Sequence, residues 1–576
     1  MKRACLCLLI CVTVLWAAAD AQAAPRNTIR VRMWTLWHDK ELTLTPLSGA
    51  MLRFCETCRG RPLEATTVRV KNAGVAWTDA EGRAHTSPGL FLTGAYRLAA
   101  HGESLTLVYP LKISASSSVL LLVATLPVER YVELVVAAES GAADGPESRK
   151  ALAVVARTFA LHPAHGHTGF DVCDSTHCQW VHWHASAEAH AAALATAGES
   201  LWHKGIRAEA YFHQNCGGRT AAAQEVWPLR AASDPAARAA LVSRLDPYCQ
   251  RAGSSEWSTT LSRAELTQAL SAAGLAAPGW TSLTVAQRGE SGRATMLLVG
   301  TAQIPAEDFR LAVGRALGWN RIRSDWFEVA AEADGFLFHG RGSGHGVGLC
   351  QAGAAEMARE GHDYREILAQ YFPGPTPADE TTGAAWRSLA GQGFTLETSD
   401  AADAAYLPAL ARALDQARSR SGLSPHGTIA VRAYRSTPAF RDATLAPGWV
   451  AAFTEGDLIA IQPLRILASR RLLTSVLRHE FLHALVEEQS IPQTPLWLRE
   501  GLVEAWSVDA ADERKPALAL EQVNRQLAHA ASEAEAEAAH RAAAWYARKL
   551  LDRFGRAQVL EWLRSGVPQN ALITLR

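Results

Sequence analysis

Net charge is what this chain most plainly lacks: 57 Lys and Arg face 57 Asp and Glu, a formal net charge of +0. A polyanion partner draws on an excess of basic side chains, so nucleic acid is excluded as a ligand. Past the first two dozen residues there is no long apolar run either. The longest, residues 119–128, is about half of what a helical membrane span needs. With 48% hydrophobic and 20% charged residues, wholesale disorder is excluded as well. Two motifs lack the context for the roles their spacing first suggests. Cys55-Glu56-Thr57-Cys58 has no thioredoxin-like βαβ surroundings, which favours a local Cys55–Cys58 disulfide over redox chemistry. Residues 340–348 carry glycine at every second position, the wrong spacing for a dinucleotide fingerprint.

What is present begins with an export signal. Lys2 and Arg3 precede an apolar stretch at 4–19, and Ala21-Gln22-Ala23 supplies the small-residue cleavage site. Met1–Ala24 is therefore expected to be removed, leaving a protein of the periplasm or cell envelope with no transmembrane segment. Three of the ten cysteines leave with the signal; seven remain, at 55, 58, 173, 178, 216, 249 and 350. In an oxidising compartment they should pair where geometry allows, and an odd number leaves a free thiol or a metal ligand set. Cys216–Cys249 is the expected long-range disulfide, and if the other six pair, Cys350 is the odd thiol by elimination.

A length of 576 residues suits several domains. The expected fold is α+β. A first domain spans residues 25–378 and is β-rich, with strands at 28–37, 41–46, 66–70, 94–99 and 104–109. A polar linker follows at 379–393, then an Ala-rich, mainly helical domain at 394–576. Within the first domain, Pro127 opens a helix whose Val128, Tyr131, Val132, Val135 and Val136 form one apolar stripe ending at Glu139. Pro146 opens a second helix. The helix's negative C-terminal end and partial burial both disfavour an ionised Glu139. That is either a solvated helix end or a general acid. His167, Cys173, His177 and Cys178 provide two imidazoles and two thiolates, the donor set of a tetrahedral zinc site; a Cys173–Cys178 disulfide is the rival. Gly217 and Gly218 form a polar glycine turn able to approach a sugar ring. The glycines of 340–348 would leave one strand face bare, for a ligand or for tight packing, with His345 and Gln351 near the groove.

LPVERYVELVVAAES…ESRKALAVVARTFAL, DVCDSTHCQ, AYFHQNCGGRT…EVW and GRGSGHGVGLCQAGAAEMAREGHDYREILAQYFPG together resemble the SpoIID/LytB family of stage II sporulation protein D and amidase-enhancer proteins. The four matches keep the family's order. The resemblance implies a lytic transglycosylase acting on peptidoglycan glycan strands, with Glu139 as its acid and an accessory lobe across residues 257–280 and 304–319. It also implies zinc beside Glu139 in some members. Ser140 stands where the family usually has Met, and Cys350 where it has Ser. A non-catalytic amidase enhancer, partnered with a cell-wall amidase, is the alternative.

In the second domain, residues 464–488 read as one long helix carrying His479-Glu480-Phe481-Leu482-His483. Imidazoles at i and i+4 share a helix face and can hold one zinc, with Glu480 beside them as general base. The continuation Pro495-Leu496-Trp497-Leu498-Arg499-Glu500-Gly501 resembles the WLxEG helix of gluzincin metallopeptidases, which implies Glu500 as third ligand, Glu504 as its supporting partner and a zincin-like fold. Tyr546 is the candidate oxyanion donor. A wall-anchored zinc peptidase is thus a third reading.

Overall fold

The computed structural model describes residues 28–72, 74–116, 118–162, 167–228, 238–253, 255–276, 278–446, 450–508, 514–529 and 533–573. The expected export segment, Met1–Ala24, lies outside them. Two compact units emerge, Pro25–Gly383 and Ala384–Arg576. Part of the stretch expected to be linker is strand, because Leu389 finds a partner: Arg387–Ala390 pairs antiparallel with Phe394–Thr398, setting Leu389 opposite Leu396.

The first unit holds two larger sheets. One runs in the order Val172–Cys173, Thr28–Met33, Val119–Pro127, Leu111–Ser116, Gly89–Thr93, Met51–Arg53, Arg61–Pro62. The other runs Glu103–Leu107, Tyr96–Ala100, Glu41–Pro46, Thr66–Lys71, Gly74–Thr78, Ala84–Ser87. Alternation decides which faces are buried: Ile29, Val31 and Met33 point inward, while Thr28 and Arg30 stay exposed. The first strand stops at Met33, short of the expected residue 37. Trp34 turns to φ 52°, and the Asp174 carboxylate accepts the Trp34 and Thr35 amides at 2.6 and 3.0 Å. A strand cannot continue through such a turn.

Val119–Pro127 runs directly into the helix Val128–Glu139, with Pro127 at its N-cap. Pro146–Ala160 packs against it. Between these helices lies a charge the apolar pattern did not announce. Arg157 is fully buried; its Nε donates to Glu129 Oε1 at 2.9 Å and its Nη1 to the Glu199 carbonyl at 3.0 Å. Glu199 is buried too, and accepts the Tyr364 hydroxyl at 3.0 Å.

An inserted lobe has its own core of Phe309, Phe327, Phe336 and Phe338. It is built on two three-stranded sheets and the helices Arg263–Ala272 and Ala306–Leu317.

The second unit has a five-stranded sheet in the order Arg387–Ala390, Phe394–Thr398, Ile429–Ala433, Leu458–Ile461, Ala452–Glu455; its three central strands are parallel and both edges antiparallel. Helices dominate the rest. The expected single helix over 464–488 is two, Leu464–Ser469 and Leu473–Gln489. Arg471 at φ 58° breaks it. Gly501 sits where Leu496–Ser507 crosses Glu533–Ser565, and a Cβ there would lie 2.3 Å from the Ala543 carbonyl oxygen.

Candidate functional site

Glu139 is the last residue of its helix and is half-buried. Its Oε1 accepts the Trp180 amide at 3.0 Å. Burial pushes the carboxyl up to about 7, against the opposing pull of that amide. At neutral pH a substantial fraction is therefore protonated, the form that can donate to a leaving oxygen. The Gln351 amide donates to the Glu139 backbone carbonyl at 2.9 Å, so Gln351 steadies the helix end on which the acid sits. Trp180, whose backbone amide meets the acid, is itself 50% exposed. Sequence reading missed it, since a lone tryptophan in a loop carries no periodic signal.

The loop that delivers Trp180 begins at the two-residue strand Val172–Cys173, parallel to Thr28–Met33. His167, just before this strand, has its Nε2 3.2 Å from Cys178 Sγ; Cys173 Sγ lies 2.9 Å from Cys178 Sγ, and His177 Nδ1 3.7 Å from each sulfur. Both cysteines are unbonded. The four donor atoms all lie within 4.8 Å of one another, and two imidazoles with two thiols are donor types that zinc takes. Gln179, next in the chain, accepts the buried Tyr131 hydroxyl at 2.9 Å. Cys178 of the donor cluster, this anchor and the amide on Glu139 thus occupy three consecutive residues.

The glycine signals resolve differently. Only Gly340 lies in a strand, Gly335–Arg341; Gly342, Gly344, Gly346 and Gly348 have φ of 80°, 92°, 81° and 75°. Period two here marks repeated left-handed turns, not the expected bare strand face. The chain's own atoms fill the space: a Cβ on Gly348 would sit 2.2 Å from the Tyr211 carbonyl oxygen. We expect Gly348→Ala to lower stability by about 2 kcal/mol or more, from left-handed strain plus a clash with backbone, read as a fall in thermal midpoint. A midpoint within error of wild type would refute this packing role. Gly217 and Gly218 are likewise left-handed and packed against Trp326, Arg341 and Gln250, which accounts for them without a sugar. His345 is set among the rings of Trp227, His213 and Tyr211, with centroids 5.0, 5.6 and 6.3 Å away. Its Nδ1 accepts the Val347 amide at 3.1 Å. No described contact brings it to Glu139.

Among the cysteines, Cys55 and Cys58 form a disulfide. Cys216 and Cys249 do not. Their expected pairing gives way to a buried group in which Cys350, the supposed odd thiol, and Asp246 take part.

In the second unit, His479 and His483 present Nε2 atoms 3.1 Å apart, and Glu500 Oε2 lies 3.8 Å from His483 Nε2. His479 Nδ1 is 3.1 Å from the Ser507 hydroxyl, and buried Glu480 accepts the Thr454 hydroxyl at 2.6 Å. His540, which sequence reading missed, contacts Glu504 at 3.3 Å and Glu500 at 3.7 Å. Tyr546 turns away from its expected oxyanion role, donating to the Leu518 carbonyl at 3.0 Å. Among the described residues, no helix is long and apolar enough to cross a membrane.

Comparison with known proteins adds a lineage to this geometry. Residues 116–203 match the family model "Stage II sporulation protein" (SpoIID), and residues 219–348 match a domain of unknown function (DUF8618). An uncharacterized protein of Brachyspira hyodysenteriae is 31% identical over 264 residues, 44% of this chain and 67% of that protein. Stage II sporulation protein D of Bacillus subtilis is 28% identical over 273 residues, 44% of this chain and 74% of the relative. The Bacillus subtilis amidase enhancer is 28% identical over 89 residues, covering 16% of this chain and 12% of its own length.

Proposed function

We propose, from the premise that this chain carries a SpoIID domain and is a homologue of stage II sporulation protein D and the amidase enhancer, that its first unit is an exported lytic transglycosylase of peptidoglycan. The observation that carries this reading is the half-buried Glu139, raised to about 7 and held by the Trp180 amide. Protonated Glu139 gives its proton to the glycosidic oxygen as the bond from muramic acid C1 to glucosamine breaks. The resulting carboxylate takes the proton of the muramyl C6 hydroxyl as that oxygen closes on C1, forming an anhydro ring and restoring the acid. One carboxyl serves both steps because no water has to be activated, in contrast to the carboxylate pair of a hydrolase. The exposed Trp180 indole suits the apolar face of a sugar ring. His167, Cys173, His177 and Cys178 would hold zinc, which supplies a fixed anchor for the Trp180 loop rather than chemistry. Digesting glycan strands with wild type and Glu139→Gln tests the proposal. Equal yields of anhydromuramyl ends sink it. Binding to sacculi without release by either protein would instead favour an amidase enhancer working with a cell-wall amidase.

A second reading concerns the second unit, favoured by the approach of His479, His483 and Glu500. Two imidazole nitrogens facing each other with a carboxylate nearby are the donor types a zinc ion would take, and Ser507 on His479 Nδ1 is the kind of outer contact that orients such a ligand. Zinc there supplies Lewis acidity for cutting a peptide bond in a wall peptide or envelope protein. Glu480, positioned by Thr454, is the proton acceptor of this reading. In the full chain, His483→Ala and Glu500→Ala should each lower zinc content by one equivalent, measured by elemental analysis. Unchanged zinc in both would leave HEFLH as a helix face.

A further inference from the structure

Cys216, Asp246, Cys249 and Cys350 come from three separate stretches of the first unit, and all four are buried. Their donor atoms lie within 4.8 Å of one another. The cysteines are unbonded in the same structure that closes Cys55–Cys58. We propose that these residues form a second, structural zinc site, with three thiolates and one carboxylate around a single ion. The proposal is independent of both readings above, since none of its ligands belongs to either of the other donor sets.

Three observations support it. First, two of the three sulfurs already receive backbone donors. The Gly218 amide donates to Cys216 Sγ at 3.3 Å and the Cys216 amide to Cys350 Sγ at 3.2 Å; backbone donors onto sulfur are the outer contacts that stabilise ligating thiolates. Second, Asp246 is held for ligation. Its Oδ1 accepts the Cys249 amide at 2.9 Å. Its Oδ2, already 3.2 Å from Cys216 Sγ, accepts the buried Tyr371 hydroxyl at 2.9 Å. A buried carboxylate held this way against a thiol is placed to share a cation with the sulfur once both are deprotonated. Third, Arg293 is fully buried, donates to the Cys216 carbonyl at 2.8 Å, and has Cys216 and Cys350 among the groups that act on it electrostatically. A guanidinium there offsets part of the charge left when four anionic donors meet a divalent ion. Thiolate-rich, four-donor surroundings select zinc over magnesium or calcium.

The site would tie together the Gln214–Arg219 turn, the short helix Pro247–Arg251, and the strand Leu349–Cys350. Gln351, one residue beyond the ligand Cys350, is the side chain that holds the Glu139 carbonyl. The ion would thus act as a positioning element behind the acid, not as a participant in the reaction.

The test counts zinc in the full chain, purified with reductant and loaded with zinc alone. A variant carrying Cys173→Ser, Cys178→Ser, His479→Ala and His483→Ala, which removes the other two donor sets, should retain one equivalent. Adding Cys249→Ser and Cys350→Ser should reduce it to none. Substituting cobalt into the four-fold variant should produce thiolate-to-metal charge-transfer absorption that the six-fold variant lacks. A folded four-fold variant without zinc overturns the proposal. Should that variant fail to fold, wild type decides. After chelation, alkylation of Cys216, Cys249 and Cys350, mapped by peptide mass, should speed up about tenfold or more as the ion is withdrawn. Chelator-insensitive alkylation, or a disulfide between any two of the three in the chain as purified, overturns it.

Discussion

Glu139→Gln should cut release of anhydromuramyl ends by about 10²–10⁴-fold, the usual contribution of a positioned general acid. The amide fills the same space and can still accept from Trp180, so the fold should survive. The pH profile supplies an independent check. Activity needs the protonated acid, so the wild-type rate should hold below the raised value of about 7 and fall tenfold per pH unit above it. The same shift has a stability consequence of opposite sense to that of an ion-paired carboxylate. The folded state holds the Glu139 proton more tightly than the unfolded chain, where a Glu titrates near about 4.3. Its effect on stability is nil below that value. As pH rises through the window up to about 7, the folded state loses on the order of 3 kcal/mol. Glu139→Gln removes the charged form, so at pH 8 the variant should melt above wild type, and at pH 4 the two should coincide. A variant less stable than wild type at pH 8 would show that the buried charge is stabilised by groups other than Trp180. An active, destabilised variant would defeat the whole account.

Arg157→Met should destabilise the first unit by about 3–5 kcal/mol, because it leaves buried Glu129 with the Gly198 amide but no cation. Loss of the Arg157 hydrogen bond to the Glu199 carbonyl adds to the effect. The measurement is denaturant unfolding with Arg157→Met, Glu129→Gln and the double variant. The double variant should be more stable than the sum of the single effects implies, because the uncompensated charge is gone. Additive effects would mean the pair is not coupled. Since Glu129 and Arg157 lie on the two packed helices, the loss should also misplace Glu139, ten residues along the first of them.

How much of this could be read without coordinates depends on how local each signal is. The helix Val128–Glu139 was legible because its apolar spacing and Pro127 act within a few turns, and so was the position of Glu139 at its end. The strand Glu41–Pro46 was legible through its alternation. His167, Cys173, His177 and Cys178 were legible because they crowd into twelve residues of chain, and His479 and His483 because helix periodicity sets them on one face; Glu500, on the next helix, came only from the resemblance of its own stretch to the gluzincin pattern. The same locality misled at residues 340–348, where period two arises from successive left-handed turns. Residues 464–488 look like one helix because nothing in their side chains announces the turn at Arg471.

Sequence alone determined which short segments are amphipathic and which carry dense donor sets, since those depend on neighbours a few residues apart. Only the tertiary structure decided that Trp180 reaches Glu139 across 41 positions, that Arg157 finds Glu129 and Glu199, and that Cys216, Asp246, Cys249 and Cys350 converge. Contacts between distant segments are set by how sheets and helices pack around shared cores, and spacing along the chain does not encode the distance across it.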